Sequence, residues 1–279
     1  MKQKFKITIP LAILVTLITV IYQRSTGPTY PKKVMIGKDG AALKVKFPRS
    51  HGGETNAPIE VPKVASNMQG TISYKRYPTN DLWTTVQLTE DGNFLKATLP
   101  NQPPAGKLIY FLSLDIDGEI QKVGTEKDPI FIRYKGEVPT YILAPHIFFM
   151  FLSMLLSVLA LFEAAFKTSS FAKISYLTTG SLFVGGMILG PIVQKFAFGV
   201  YWAGFPYDWD LTDNKLLISF LFWFGAALIN MKKPNRVASM IAAVVLLCMY
   251  AIPHSTMGSQ YDYKKGSVET KTDGFKDKL

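Results

Sequence analysis

Five apolar runs decide what this chain can fold into. They lie at 7–22, 141–166, 174–198, 216–231 and 237–252. A helix needs about 20 mostly apolar residues to cross a bilayer. In lipid it must also satisfy its own backbone polar groups. Each run is therefore read as a membrane helix. Residues 29–138, between the first two runs, have a different texture, so the chain divides into a membrane part and a part outside the bilayer. A composition of 48% hydrophobic and 18% charged residues over 279 positions suits that division.

Lys2, Lys4 and Lys6 precede the first run. The stretch after it, "QRSTGPTYP", has no small-x-small cleavage site and no lipobox cysteine, so residues 1–28 are read as an uncleaved signal anchor. The short loops "KTSSFAK" and "MKKPNR" carry basic residues and no acid, whereas 201–214 carries Asp208, Asp210 and Asp213 and no base. All basic flanks fall on one side if the N-terminus is cytoplasmic. The expectation is a bacterial inner membrane protein. Residues 29–138 would be periplasmic, 139–254 four membrane helices with an external aromatic loop at 199–213, and 255–279 a polar tail outside. That tail, with its alternating charge, is expected to lack order.

Within 29–138, short β-branched and apolar runs recur between turn signals: "ALKVKF", "PIEVPKV", "TISYKRY", "WTTVQL", "FLKATL", "KLIYFLSLD", "IQKV" and "IFIRY". "EDGN" and "DIDGE" are hairpin turns of the Asp-Gly type. The pattern predicts an all-β sandwich. The stretch "GTISYKRYPTNDLWTTVQLTEDGNFLKATLPNQPPAGKLIYFLSLD" resembles bacterial immunoglobulin-like or fibronectin type III-like domains. That resemblance implies a binding or spacing module and argues against an active site there. His51, in "RSHGGETNAP", is read as a plain loop residue.

The net charge of +11 is scattered, with no basic stripe interleaved with aromatic rings, which argues against nucleic acid as a partner. The single cysteine, Cys248, excludes an internal disulfide and is read as a small buried hydrophobe. No phosphate-binding glycine loop, HExxH, GxSxG elbow or pair of intramembrane carboxylates is present. Glu163 is expected to snorkel toward Lys167 or Lys173. Gly186 and Gly190 form a small-xxx-small pair for helix packing, and Pro191 is expected to kink the helix beside them.

Chemistry is sought at one end of the bundle. His146 opens the second run, "YWAGFPYDWD" follows the third, and His254 follows the fifth. This order resembles the tryptophan-rich, WWD-type haem-handling membrane proteins of cytochrome c maturation. There, two external histidines flank a "WGxxWxWD" core. This chain has Trp202 and Trp209-Asp210 but no "WGxxW" and no "WDP". The resemblance implies a haem held axially by His146 and His254, with Trp202, Trp209 and Asp210 alongside. Imidazole nitrogen ligates haem iron, and indole faces stack on porphyrin. The plainer alternative is an aromatic membrane anchor, with His146 bonded to a backbone carbonyl and "DLTDNK" capping the next helix. Three functions stay open. The first is a haem carrier or cytochrome b-like electron-transfer protein. The second is a non-catalytic accessory subunit that docks a membrane or periplasmic protein partner. The third is an enzyme using the loop aspartates, whose spacing gives no ready acid/base pair.

Overall fold

A computed structural model describes residues 2–38, 40, 42–253 and 258–270. The chain is mixed helix and sheet. It divides into a helical unit, Met1–Pro28 with Val138–Ser259, and a β unit, Thr29–Glu137 with Gln260–Glu269.

In the helical unit, α1 spans Lys2–Thr26 and α2 spans Thr140–Ala165. Next comes α3, Phe171–Leu182, which continues through a π-helical segment, Phe183–Leu189, into α4, Gly190–Phe198. The last two helices are α5, Leu211–Lys232, and α6, Arg236–Ala251. Four stretches are long and apolar enough to cross a membrane: Ile7–Thr26, Thr140–Ala165, Phe171–Phe198 and Leu211–Lys232. The fifth expected span is a shorter apolar helix of 16 residues, about 24 Å at roughly 1.5 Å per residue.

Large apolar side chains cover the outside of this unit, among them Leu17, Ile21, Phe148, Leu177, Leu221 and Val237. Water would penalise so much exposed apolar surface, whereas hydrocarbon does not. The inside is small or polar. Ala160, Ala226, Ala242 and Ala243 let the helices approach around the fully buried Trp223. Asn230 donates to Ser239 (2.9 Å), and Ser239 shares a hydrogen bond with Ser175 (2.9 Å), which joins α5, α6 and α3.

Of the expected pair, Gly186 packs tightly, whereas a Cβ on Gly190 would lie at an ordinary 3.7 Å from Leu216; the second close approach is at Gly185. A Cβ on Gly186 would lie 2.5 Å from Leu216 of α5, and one on Gly185 would lie 2.7 Å from the Phe149 Cβ of α2. These approaches are occupied by the chain's own helices, so they do not supply a groove for a separate membrane subunit. Pro191 brings no N–H to α4, and the π-helical segment lies immediately before it.

Two expectations for this unit are corrected. Glu163 does not snorkel. It is fully buried, accepts a hydrogen bond from the Thr8 hydroxyl of α1 at 2.7 Å, and accepts another from Thr168. Its position one turn inside α2 faces α1, which covers it. Cys248 is exposed, on the outward face of α6.

The β unit holds β1 (Lys32–Ile36), β2 (Leu43–Phe47), β3 (Ser50–Gly52), β4 (Ala57–Pro62), β5 (Met68–Arg76) and β6 (Thr84–Gln87). It continues with β7 (Thr89–Asp91), β8 (Phe94–Leu99), β9 (Lys107–Ile116), β10 (Glu119–Val123) and β11 (Ile130–Lys135). One sheet runs β3-β11-β9-β5-β6, with β10 also paired to β9. A second runs β4-β8-β7, and β1 pairs β2. Alternation sets the core. Leu108, Tyr110, Leu112 and Leu114 of β9 are buried together with Ile59 and Val61 of β4 and Leu95 and Leu99 of β8. The two sheets therefore share one apolar interior. Asp117 and Gly118, both at positive φ, make the β9–β10 turn that "DIDGE" announces. His51 is not a plain loop residue. It lies on β3, packs edge-on to Tyr134 at 5.8 Å, and its Nε2 lies 2.9 Å from the Thr55 carbonyl.

Within the tail, residues 258–270 depart from expectation, and 255–257 and 271–279 lie outside the described residues. Ser259–Asp262 and Ser267–Thr270 form a hairpin, β12 and β13. Its Tyr263 hydroxyl donates to Gln102 Oε1 (2.9 Å) and accepts from the Lys107 amide (3.1 Å). The Tyr261 amide donates to the Ala105 carbonyl, and Lys107 Nζ donates to Gln260 Oε1. A polar, charge-alternating sequence acquires structure here because the β unit supplies partners for its tyrosines.

Candidate functional site

The loop between α4 and α5 is built from the α5 N-terminus upward. The first amides of a helix lack internal partners. Asp210 is the N-cap. Its Oδ1 accepts from the Thr212 amide at 2.8 Å and the Asp213 amide at 3.4 Å. Its Oδ2 accepts from both the amide (2.9 Å) and hydroxyl (3.0 Å) of Ser259. The next two side chains reach back to the loop. Asp213 Oδ2 accepts from the Ala203 amide at 2.7 Å, and Asn214 Oδ1 accepts from the Phe205 amide at 2.7 Å. The Asp210 amide in turn donates to the Ala203 carbonyl. Gly204 is required by this closeness: a Cβ there would meet the Asp213 Cβ at 2.8 Å.

The other end of the loop is closed as well. Gly199 takes a left-handed conformation at φ +83° and ends α4, with its amide on the Lys195 carbonyl. Lys195 Nζ donates to the Gly199 carbonyl at 2.7 Å and lies 5.4 Å from the Tyr201 ring centroid. Gln194 hydrogen-bonds Asp213. Lys215 is buried, with its ammonium on the Ile252 carbonyl at 2.7 Å.

The five residues singled out from sequence fare differently. His146 is half-buried on α2, and its Nδ1 hydrogen-bonds the Gly185 carbonyl at 2.8 Å. A carbonyl can only accept, so Nδ1 carries a proton, and in the neutral imidazole Nε2 then keeps its lone pair. That is the backbone anchor that orients ligating histidines in metal sites. Trp202 is half-buried and donates its Nε1 to the Phe205 carbonyl at 3.1 Å. Trp209 is exposed and lies tilted against Phe205 at 6.3 Å. Asp210 spends both oxygens as described above. His254 lies outside the described residues.

Four of the five residues of the haem set lie among the described residues. One imidazole offers a nitrogen, while the Trp202 N–H is bonded within the loop and the Asp210 carboxylate is spent on the α5 amides and Ser259. No cluster of three or more His, Cys, Asp or Glu side chains suited to a metal ion occurs among the described residues. The contacts that sequence reasoning missed are Asp213, Asn214, Lys215 and the Thr8–Glu163 bond. Only the first two carried a signal, as polar residues in the turn after a cap.

The β unit carries a separate feature. An open cleft of about 460 Å³ is lined by Lys44, Val45, Pro48, Pro58, Glu60 and Phe94, with Lys46 and Pro62 beside them. Neither Lys44 nor Lys46 has a carboxylate partner among the described residues. Comparison of the chain with family models, curated proteins and solved structures found no match.

Proposed function

We propose that this chain is a non-catalytic accessory subunit of a membrane assembly. Its β unit, an extracytoplasmic immunoglobulin-like sandwich in this reading, would dock a protein partner. The helical unit would hold it in a bacterial inner membrane with the N-terminus cytoplasmic. What carries the reading is that the polar side chains of the α4–α5 loop are committed to the fold. Meanwhile the β-unit cleft presents Lys44 and Lys46, which have no carboxylate partners among the described residues, beside Glu60, Phe94 and three prolines. Rigid apolar walls rimmed by unpaired charge suit recognition of a complementary acidic surface.

The test is photo-crosslinking of full-length chain in native membranes from a probe placed beside the cleft. A discrete crosslinked species is expected. It should vanish in the double variant Lys44→Glu, Lys46→Glu and persist in Lys122→Glu, a charge reversal elsewhere on the β unit. Monomer alone in every lane, or a crosslink indifferent to Lys44 and Lys46, contradicts the reading.

A second reading, a haem carrier or electron-transfer protein, is favoured by one observation: the free Nε2 of His146, held by Gly185. When bound, haem would supply redox chemistry, and His146 would supply one ligating nitrogen. An absorption spectrum of the purified chain titrated with haem separates this reading from the first.

A further inference from the structure

We propose that the α4–α5 loop is an interfacial anchor, whose Tyr201, Phe205, Tyr207 and Trp209 rings seat among the headgroups of a lipid bilayer. This stands apart from the accessory reading and does not depend on it. Four large rings in one short loop are exposed, at 59, 56, 83 and 68% respectively. In the same loop Ala203 and Asp210 are buried, and the Trp202 indole is turned in onto a carbonyl. The Asp210 carboxylate is turned inward, and four of the loop's five large aromatic rings stand outward, the reverse of a lid closed over a cofactor.

What covers the rings follows from where the loop leaves the helices. It starts where Phe171–Phe198 ends and finishes where Leu211–Lys232 begins, and both stretches are long and apolar enough to cross a membrane. The connection therefore emerges at the boundary between hydrocarbon and water. Exposed Phe196 on α4 and Ile218 on α5 continue the apolar surface toward lipid on either side. Tyrosine and tryptophan carry an apolar body and one polar atom, and they concentrate at this depth in membrane proteins. Lys195, fixed over Tyr201 by the Gly199 carbonyl, brings an ammonium to the same end of α4, where lipid phosphates lie. The loop is already folded by Asp210, Asp213 and Asn214, so seating the rings orders little additional chain.

The test uses the full-length chain in nanodiscs of phosphatidylcholine. The emission of Trp209 is taken as the difference between wild type and Trp209→Phe, which leaves Trp83, Trp202 and the core Trp223 in place. Lipid brominated close to the headgroup should remove more than about half of that emission, with weaker quenching by lipid brominated at the chain ends and by aqueous iodide. Quenching by iodide but not by brominated lipid would overturn the proposal, because the ring would stand in water. Quenching by neither would also overturn it, because the ring would be covered by protein or another ligand. Helical circular dichroism of Trp209→Phe should match wild type and confirms that the difference reports one ring.

Discussion

Lys107 puts a measurable charge problem into the β unit. Burial, and then Arg133 directly opposite on β11, hold its ammonium down at about 7 from an ordinary 10.5. The unfolded chain binds more protons than the folded one between those values, so stability should rise as pH increases across that window. Burial pushes the Tyr263 hydroxyl the other way, up to about 12 from 10.0, so it withdraws stability as pH climbs past 10. Denaturant midpoints followed by Trp83, the one tryptophan of the β unit, should therefore climb from pH 7 toward 10 and then turn down. Lys107→Met should flatten the climb. A climb of the same size in the variant would assign it elsewhere. Asp210 is a second residue-scale test. Asp210→Ala removes the α5 cap together with the acceptor of the Ser259 amide and hydroxyl, at a cost of about 1–3 kcal/mol in the thermal stability of the helical unit. An unchanged melting curve would mean that the cap is dispensable.

At the scale of elements, buried polar pairs staple the helices. Glu163 and Thr8 join α2 to α1, so Thr8→Val leaves a carboxyl oxygen without its donor and should cost about 1–3 kcal/mol. The double variant Thr8→Val, Glu163→Leu, which removes both partners of the bond, should cost less than Thr8→Val alone. The Gly186–Leu216 approach predicts that Gly186→Leu separates α5 from the π-helical segment and costs a similar amount. Thermal unfolding in a fixed detergent checks each. The elements that sequence reading recovers are those with strong local signals. Apolar runs found the helices, alternation found β4, β5, β8 and β9, and the Asp-Gly turns found their hairpins. The missed strands are short: β3 and β7 have three residues each, too few to show alternation, and although β1 and β7 pair their chain neighbours β2 and β8, β3 draws its pairing from the distant β11. The hairpin β12–β13 was missed because its tyrosines find their partners at Gln102, Ala105 and Lys107. The destination of Glu163 was illegible because nothing at position 163 indicates that Thr8 lies beside it.

For the molecule as a whole, "YWAGFPYDWDLTDNK" carries the functional question. Its composition announced a special loop, and the helix cap within it was legible from "DLTDNK" alone. What the composition could not say was the direction of each side chain. Trp202 and Trp209 look equivalent in sequence, yet one is tied to the Phe205 carbonyl and the other is exposed. His146 looks like a ligand by position, and its Nδ1 is taken by Gly185, a carbonyl beside a π-helical turn that no local pattern announced. This loop is closed by Asp210, Asp213 and Asn214, and the proposed docking surface lies on the β unit. The most direct measurement is the absorption spectrum of the purified full-length chain during titration with haem. The expected result is the spectrum of free haem throughout, identical for wild type and His146→Ala. A stoichiometric, red-shifted Soret band that His146→Ala abolishes would contradict the account and make the loop the wall of a haem site.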